Sequence, residues 1–217
     1  GYVRAGGNLI LTGWCPTKAL GGFSDYPATF QPGDFLRDFA GIAGARNTGA
    51  SSSPNPPSNY GFAFLGGRAT GVLALNDVFV DTLGKWGPYF PTYGGLPSCD
   101  AFELTQGGRD LLTFVSHINP EFQGDVCGVV RYGISGEGSV AVLGFPLYFL
   151  QTADARDMIE KVLGSFESWQ TPVDLLTFDW TATADSVKLF WTTSPNDGVQ
   201  GFHLLRRESG GDDYDTL

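Results

Sequence analysis

Asn8-Leu9-Ile10-Leu11-Thr12-Gly13-Trp14-Cys15-Pro16 decides how this chain is read. A short apolar run bounded by Gly6-Gly7 and Gly13 has the pattern of a parallel strand buried on both faces, and a strand of that kind belongs to an open α/β sheet. Gly6-Gly7 also suits the end of a helix that feeds the strand. The chain starts without Met at Gly1, so the expectation is a fold entered part-way through, with its first strands upstream.

Further along, Pro32 and Asp34 introduce Phe35, Leu36 and Phe39 at helical spacing, which predicts a short amphipathic helix. The Ser/Pro/Asn-rich stretch 47–59 has no apolar period and reads as an exposed loop. Residues 71–75 and 78–80 are short apolar runs. Residues 101–104, 111–115, 126–132 and 139–143 each read as a strand separated by turn residues. Residues 154–166 place Ala155, Met158, Ile159, Val162 and Leu163 on one face of a helix.

After Gln170-Thr171-Pro172 the pattern changes to alternation: Val173, Leu175 and Phe178, then Val187, Leu189 and Trp191, then Phe202, Leu204 and Arg206. Two domains are therefore expected, an α/β domain over 1–171 and a β-sandwich module over 172–217. A sandwich of about seven strands takes about 100 residues, so the second module is read as incomplete.

With 42% hydrophobic and 14% aromatic residues, a chain of 217 residues can bury a real core. Thirteen basic against 23 acidic residues give a charge of -10, which argues against nucleic acid and against an anionic membrane surface. No run approaches the roughly 18 apolar residues that cross a bilayer, so no membrane insertion is expected. Thirty-one glycines, 13 prolines and only 17% charged residues suit an exported, turn-rich protein. Cys15, Cys99 and Cys127 are odd in number, so one internal pair at most can form; Cys99 with Cys127 is the loop-to-strand disulfide that an oxidising compartment would permit. The cysteine spacing fits no zinc site. Asp212, Asp213 and Asp215 fit no calcium loop, and no metal or cofactor is implied.

Two resemblances follow from these residues. Val173-Asp-Leu-Leu-Thr-Phe-Asp-Trp, Val187-Lys-Leu-Phe-Trp-Thr-Thr and Gly201-Phe-His-Leu-Leu-Arg-Arg resemble the opening of the fibronectin type III-like modules near the C-termini of exported bacterial proteins. Tyr2 to Gly13 and Val142-Leu143-Gly144-Phe145-Pro146-Leu147-Tyr148-Phe149 resemble the class I glutamine-amidotransferase-like domains of large secreted bacterial proteins. The second resemblance implies an open, partly parallel flavodoxin-like sheet with helices. It also implies a Gly-x-Cys turn, matched by Gly13-Trp14-Cys15, that presents a thiol nucleophile.

This chain departs from the catalytic pattern at several places. Pro16 replaces the Gly whose amide helps form an oxyanion hole. The nearest match to the family's His-Pro-Glu is His117-Ile118-Asn119-Pro120-Glu121, with two extra residues. The strand that should carry the motif reads Gly144-Phe145-Pro146-Leu147-Tyr148. A Cys15/His117/Glu121 site is thus the catalytic alternative to a structural or interaction region of a larger secreted or cell-surface bacterial protein. Secreted relatives with this sheet commonly lack the triad.

The expected partners are neighbouring domains of the same polypeptide, and carbohydrate or protein. The carbohydrate or protein would stack on the aromatic loop Trp86, Tyr89, Phe90 and Tyr93, whose rings offer large area at small entropic cost. An interrupted sandwich leaves an unpaired edge, through which a homodimer is expected.

Overall fold

The computed structural model describes residues 1–49, 63–116, 120–134, 136–168, 175–183, 186–193, 205–206 and 215–216. The chain divides into two units, Gly1–Glu167 and Ser168–Leu217. The boundary expected at Thr171 falls outside the described residues.

In the first unit one nine-stranded sheet contains β1 (Leu9–Thr12), β2 (Ala28–Thr29), β3 (Ile42–Asn47), β4 (Phe64–Ala69), β5 (Val78–Phe79), β6 (Asp100–Leu104), β7 (Arg109–Ser116), β8 (Val126–Arg131) and β9 (Val140–Leu143). The order is β2-β3-β6-β8-β7-β4-β5, and β9 joins β8 and carries β1 beyond it. Strand β8 is the branch point. Its Val126 pairs with Phe102 of β6, while Gly128 to Arg131 pair with β9. Both β8 and β9 are buried along nearly their whole length, which is why their sequences are continuously apolar.

Only β1 and β9 run parallel, with Leu9 opposite Val140 and Thr12 opposite Leu143. The other pairings of this sheet are antiparallel. The expected open, partly parallel flavodoxin-like α/β fold is therefore corrected to a mainly antiparallel sheet with few helices. Apolar runs such as Val126-Cys-Gly-Val-Val report burial on both faces, and burial says nothing of strand direction.

Helices α1 (Pro16–Gly21), α2 (Phe35–Asp38) and α3 (Phe90–Tyr93) are one or two turns long, and only α4 (Thr152–Ser168) is extended. It buries Met158, Val162, Ser165 and Phe166, whereas Leu163, expected on the same face, points outward. Arg156–Glu160 and Asp157–Lys161 pairs brace its exposed side. No helix among the described residues is long and apolar enough to cross a membrane.

Two buried groups stand out among the described residues. Val3, Phe30, Leu36, Ile42, Phe102, Val129, Val140 and Val142 form one cluster, with partly buried Leu9 and Leu11 against it. Phe64 stacks on Phe145 at 4.5 Å and meets Phe114 edge-on at 5.0 Å in the other.

The chain also brings the end of β9 against the start of β6. Gly144 donates to Cys127 O at 2.8 Å and accepts from Asp100 N at 2.7 Å. A Cβ at Gly144 would lie 2.2 Å from Asp100 O, so only glycine permits this approach.

The second unit contains the antiparallel hairpin β10 (Leu175–Ala182) and β11 (Val187–Thr193), and a short pair, β12 (Leu205–Arg206) with β13 (Asp215–Thr216). The hairpin register sets Phe178 opposite Trp191, Trp180 opposite Leu189 and Ala182 opposite Val187. All six residues share one face, because alternate residues of a strand point the same way. Thr177, Asp179, Thr181, Lys188, Phe190 and Thr192 fall on the other.

Candidate functional site

Strand β1 ends at Thr12, and Gly13-Trp14-Cys15 turns the chain into α1. Cys15 caps that helix with φ 49° and ψ 53°, a left-handed conformation uncommon for a residue with a side chain. Pro16 follows at the first helical position, where its missing N–H leaves no bond unmade. The next amide, Thr17 N–H, donates to Asp100 Oδ2 at 3.0 Å.

Asp100 is fully buried at the start of β6, and four donors converge on its carboxylate. Thr17 donates twice to Oδ2, through its amide and through Oγ1 at 2.6 Å. Tyr26 OH and Asn47 Nδ2 each donate to Oδ1 at 2.7 Å. The β3–β6 register places Asn47 directly opposite Asp100. Among the described residues, only neutral donors hold this buried carboxylate, through charge-assisted hydrogen bonds that offset its desolvation. Burial pushes the Tyr26 phenol well above its usual range; the Thr17 hydrogen bond opposes that shift, and the neighbouring Asp100 charge adds to it.

Cys15 lies at the rim of this cluster. Its half-buried Sγ sits 3.2 Å from Ser98 Oγ and accepts from Asn47 Nδ2 at 3.5 Å. Asn47 Oδ1 in turn accepts from Ser98 Oγ at 3.1 Å and from Gly49 N at 2.8 Å. Asn47 thus bridges thiol, hydroxyl and carboxylate. Such an arrangement orients a sulfur atom and stabilises negative charge on Asp100, but none of these neighbours is a general base of the histidine kind.

His117, the expected base, lies outside the described residues. Glu121 is exposed on the turn Pro120–Phe122. Cys99 and Cys127, the expected disulfide partners, are buried free thiols, and Cys15 is also free. Burial first, and then the nearby Asp100, holds the Cys99 thiol well above its ordinary range; burial does the same to Cys127. No group of three metal-ligating side chains converges among the described residues.

On the other side of the turn, Trp14 enters an aromatic cluster. Trp86 is its buried centre, with Tyr89 at 5.0 Å, Tyr93 at 6.1 Å, Trp14 at 6.3 Å and Phe149 at 4.8 Å between ring centroids. Tyr148 stands edge-on to Phe149 at 5.0 Å. The Trp86 Nε1–H is buried with no acceptor among the described residues. Of the aromatic loop expected from sequence, Trp86, Tyr89 and Tyr93 join this cluster, and Phe90 is half-buried beside them.

Sequence reasoning missed Thr17, Tyr26, Asn47, Ser98 and Asp100 in the polar cluster, and Trp14, Tyr148 and Phe149 in the aromatic one. Trp14 alone carried a signal, an indole set between Gly13 and Cys15 at the end of an apolar run.

No family model, no curated protein and no solved structure matches this chain.

Proposed function

We propose that this chain is a non-catalytic structural and interaction region of a larger exported bacterial protein, in which the Asp100 cluster ties the β1–α1 turn to β3 and β6. The observation that carries this reading is the Asp100 carboxylate, whose two oxygens are both filled by donors from its own chain. Groups that bind and turn over a substrate need vacant hydrogen-bonding capacity, and here that capacity is spent inside the fold. The low charge content and many glycines favour an exported protein. The hairpin β10–β11, with five apolar residues and Ala182 on one face and mainly polar residues on the other apart from Phe190, favours a sandwich-type module that packs against neighbouring domains of the same polypeptide.

A second reading, a thiol-dependent hydrolase or amidotransferase-like enzyme, draws on one observation. Cys15 occupies a left-handed strand-to-helix turn, the backbone setting in which nucleophiles are presented.

Alkylation rate separates the two. Cys99 and Cys127 are buried, so in the native protein iodoacetamide reports on Cys15. The structural reading expects Cys15 to react more slowly than a cysteine in a short peptide at neutral pH, with the signal absent in Cys15→Ser. Reaction several-fold faster than that peptide would favour the enzyme.

A further inference from the structure

We propose that Trp14, Tyr89, Tyr93 and Tyr148 form a binding site for a proline-rich peptide in the polyproline II conformation. The proposal rests on the interaction reading above and names its ligand class.

The four rings are 44%, 50%, 42% and 70% exposed, unusual values for large aromatic side chains gathered around one centre. Each leans on the buried Trp86 or the half-buried Phe149 at a tilt: 51° for Trp14 on either ring, 38° for Tyr89 and 46° for Tyr93 on Trp86, and 83° for Tyr148 on Phe149. Rings tilted from their base do not form a flat plate.

The scaffold under them is fixed by hydrogen bonds. Asp81 N donates to Phe149 O at 2.8 Å, Trp86 N donates to Asp81 O at 2.9 Å, and Tyr93 N donates to Tyr89 O at 3.0 Å. A surface held this way loses little entropy on binding.

Charge and hydrogen-bonding capacity select the ligand. Asp81 and Lys85 carry the only formal charges in the segment 81–93. Both are engaged: Asp81 Oδ1 accepts from Gly84 N at 2.8 Å, while Lys85 Nζ donates to Leu150 O at 2.8 Å and lies 5.7 Å from the Tyr148 ring centre. What the patch offers is uncharged: ring faces, the Trp14 indole N–H and three phenol groups that bond to no other described residue.

A polyproline II segment matches that offer. It is pre-formed, so binding orders little; its pyrrolidine rings pack against aromatic rings; and its carbonyls, left without internal partners, accept from indole N–H and phenol O–H donors. A saccharide matches less well, because Asp81 Oδ1 beside the patch is already bonded to Gly84 N and the tilted rings give no flat plate to stack a pyranose.

The test is a fluorescence-anisotropy titration of the full chain with a fluorescein-labelled polyproline peptide. Saturable binding is expected, weakened about tenfold by Tyr148→Ala and by Tyr89→Ala. The triple change of Tyr89, Tyr93 and Tyr148 to Phe keeps every ring and removes only the hydroxyls; a few-fold loss is expected there. Trp180→Ser, in the other unit, should leave binding unchanged.

Absence of saturable binding overturns the proposal, as does binding indifferent to the tyrosine changes. So does patch-dependent capture of a neutral oligosaccharide or of zwitterionic phosphatidylcholine vesicles in place of the peptide. Failure here with slow Cys15 alkylation leaves the non-catalytic reading standing. Peptide binding with fast alkylation removes that reading and keeps this site.

Discussion

Trp14 and Cys15 are consecutive, yet they belong to regions built on opposite principles. On the Cys15 side, polar groups from β3, β6, α1 and the segment around Tyr26 turn inward and satisfy one another around a fully buried carboxylate. On the Trp14 side, the rings of Trp14, Tyr89, Tyr93 and Tyr148 turn outward, and their polar atoms bond to no other described residue. The first region uses its hydrogen bonds to specify a single structure. The second keeps them available. Buried polar groups that lose a partner are costly, whereas exposed ones bond to water at little penalty. The contrast predicts where mutation harms the fold and where it harms recognition alone.

The sharpest way to break the contrast is Asp100→Ala. Removing the carboxylate strands the buried Thr17 amide and one Asn47 N–H, and leaves the Thr17 and Tyr26 hydroxyls only each other as partners within the cluster. The expected loss is about 3 kcal/mol or more in urea unfolding followed by circular dichroism. A loss below about 1 kcal/mol would show that the cluster is not a tie.

Tyr26→Phe is the graded version. It takes one donor from Asp100 Oδ1 and leaves Asn47 in place. A hydrogen bond to a charged group contributes about 1.5–3 kcal/mol, and the half-buried Tyr26 belongs at the low end.

The difference should depend on pH. The folded-state phenol of Tyr26 is raised above its unfolded value of about 10. Its contribution is therefore complete below pH 10 and lost as pH rises through the folded value, because the unfolded chain releases the proton first. The wild type should thus converge on Tyr26→Phe in alkaline melts. A gap constant from pH 8 to 11 would count against the assignment.

The two regions also differ in how far the sequence revealed them. Strands β6, β7, β8 and β9, and helix α4, follow apolar runs and turn residues that can be read locally, and β1 with its Gly-Trp-Cys turn is legible in the same way. Strands β3 and β4 are not. Ile42-Ala-Gly-Ala-Arg-Asn and Phe64-Leu-Gly-Gly-Arg-Ala are dominated by small residues, so they show no alternation, and Asn47 reads as the first residue of a loop when it is the last of a strand.

Asp100 gathers its partners from across the sequence: Thr17 is 83 positions away, Tyr26 74 and Asn47 53. Only strand register unites them, and register is a tertiary property. The aromatic loop was visible because its rings are close in sequence; Trp14 and Tyr148 were missed because they arrive from either end of the first unit. Strand direction is legible only in part for a related reason: β1, read as parallel, does run parallel to β9, but the apolar run of β8 lies in antiparallel pairs, and hydrophobicity cannot distinguish the two.

The mildest change should be Tyr148→Ala, which sharpens the contrast from the other side. Tyr148 is the most exposed ring of the aromatic region, and it meets the fold through Phe149 and the Lys85 ammonium. Lys85 keeps its bond to the Leu150 carbonyl without it. Little apolar area returns to water and no buried donor loses its acceptor, so stability should move by no more than about 0.5 kcal/mol. The same substitution should weaken the peptide about tenfold, a separation of binding from stability that no residue around Asp100 can give. If Tyr148→Ala lowers stability by as much as Tyr26→Phe, the outward rings are part of the packing, and the division between a region that folds and a region that binds is lost.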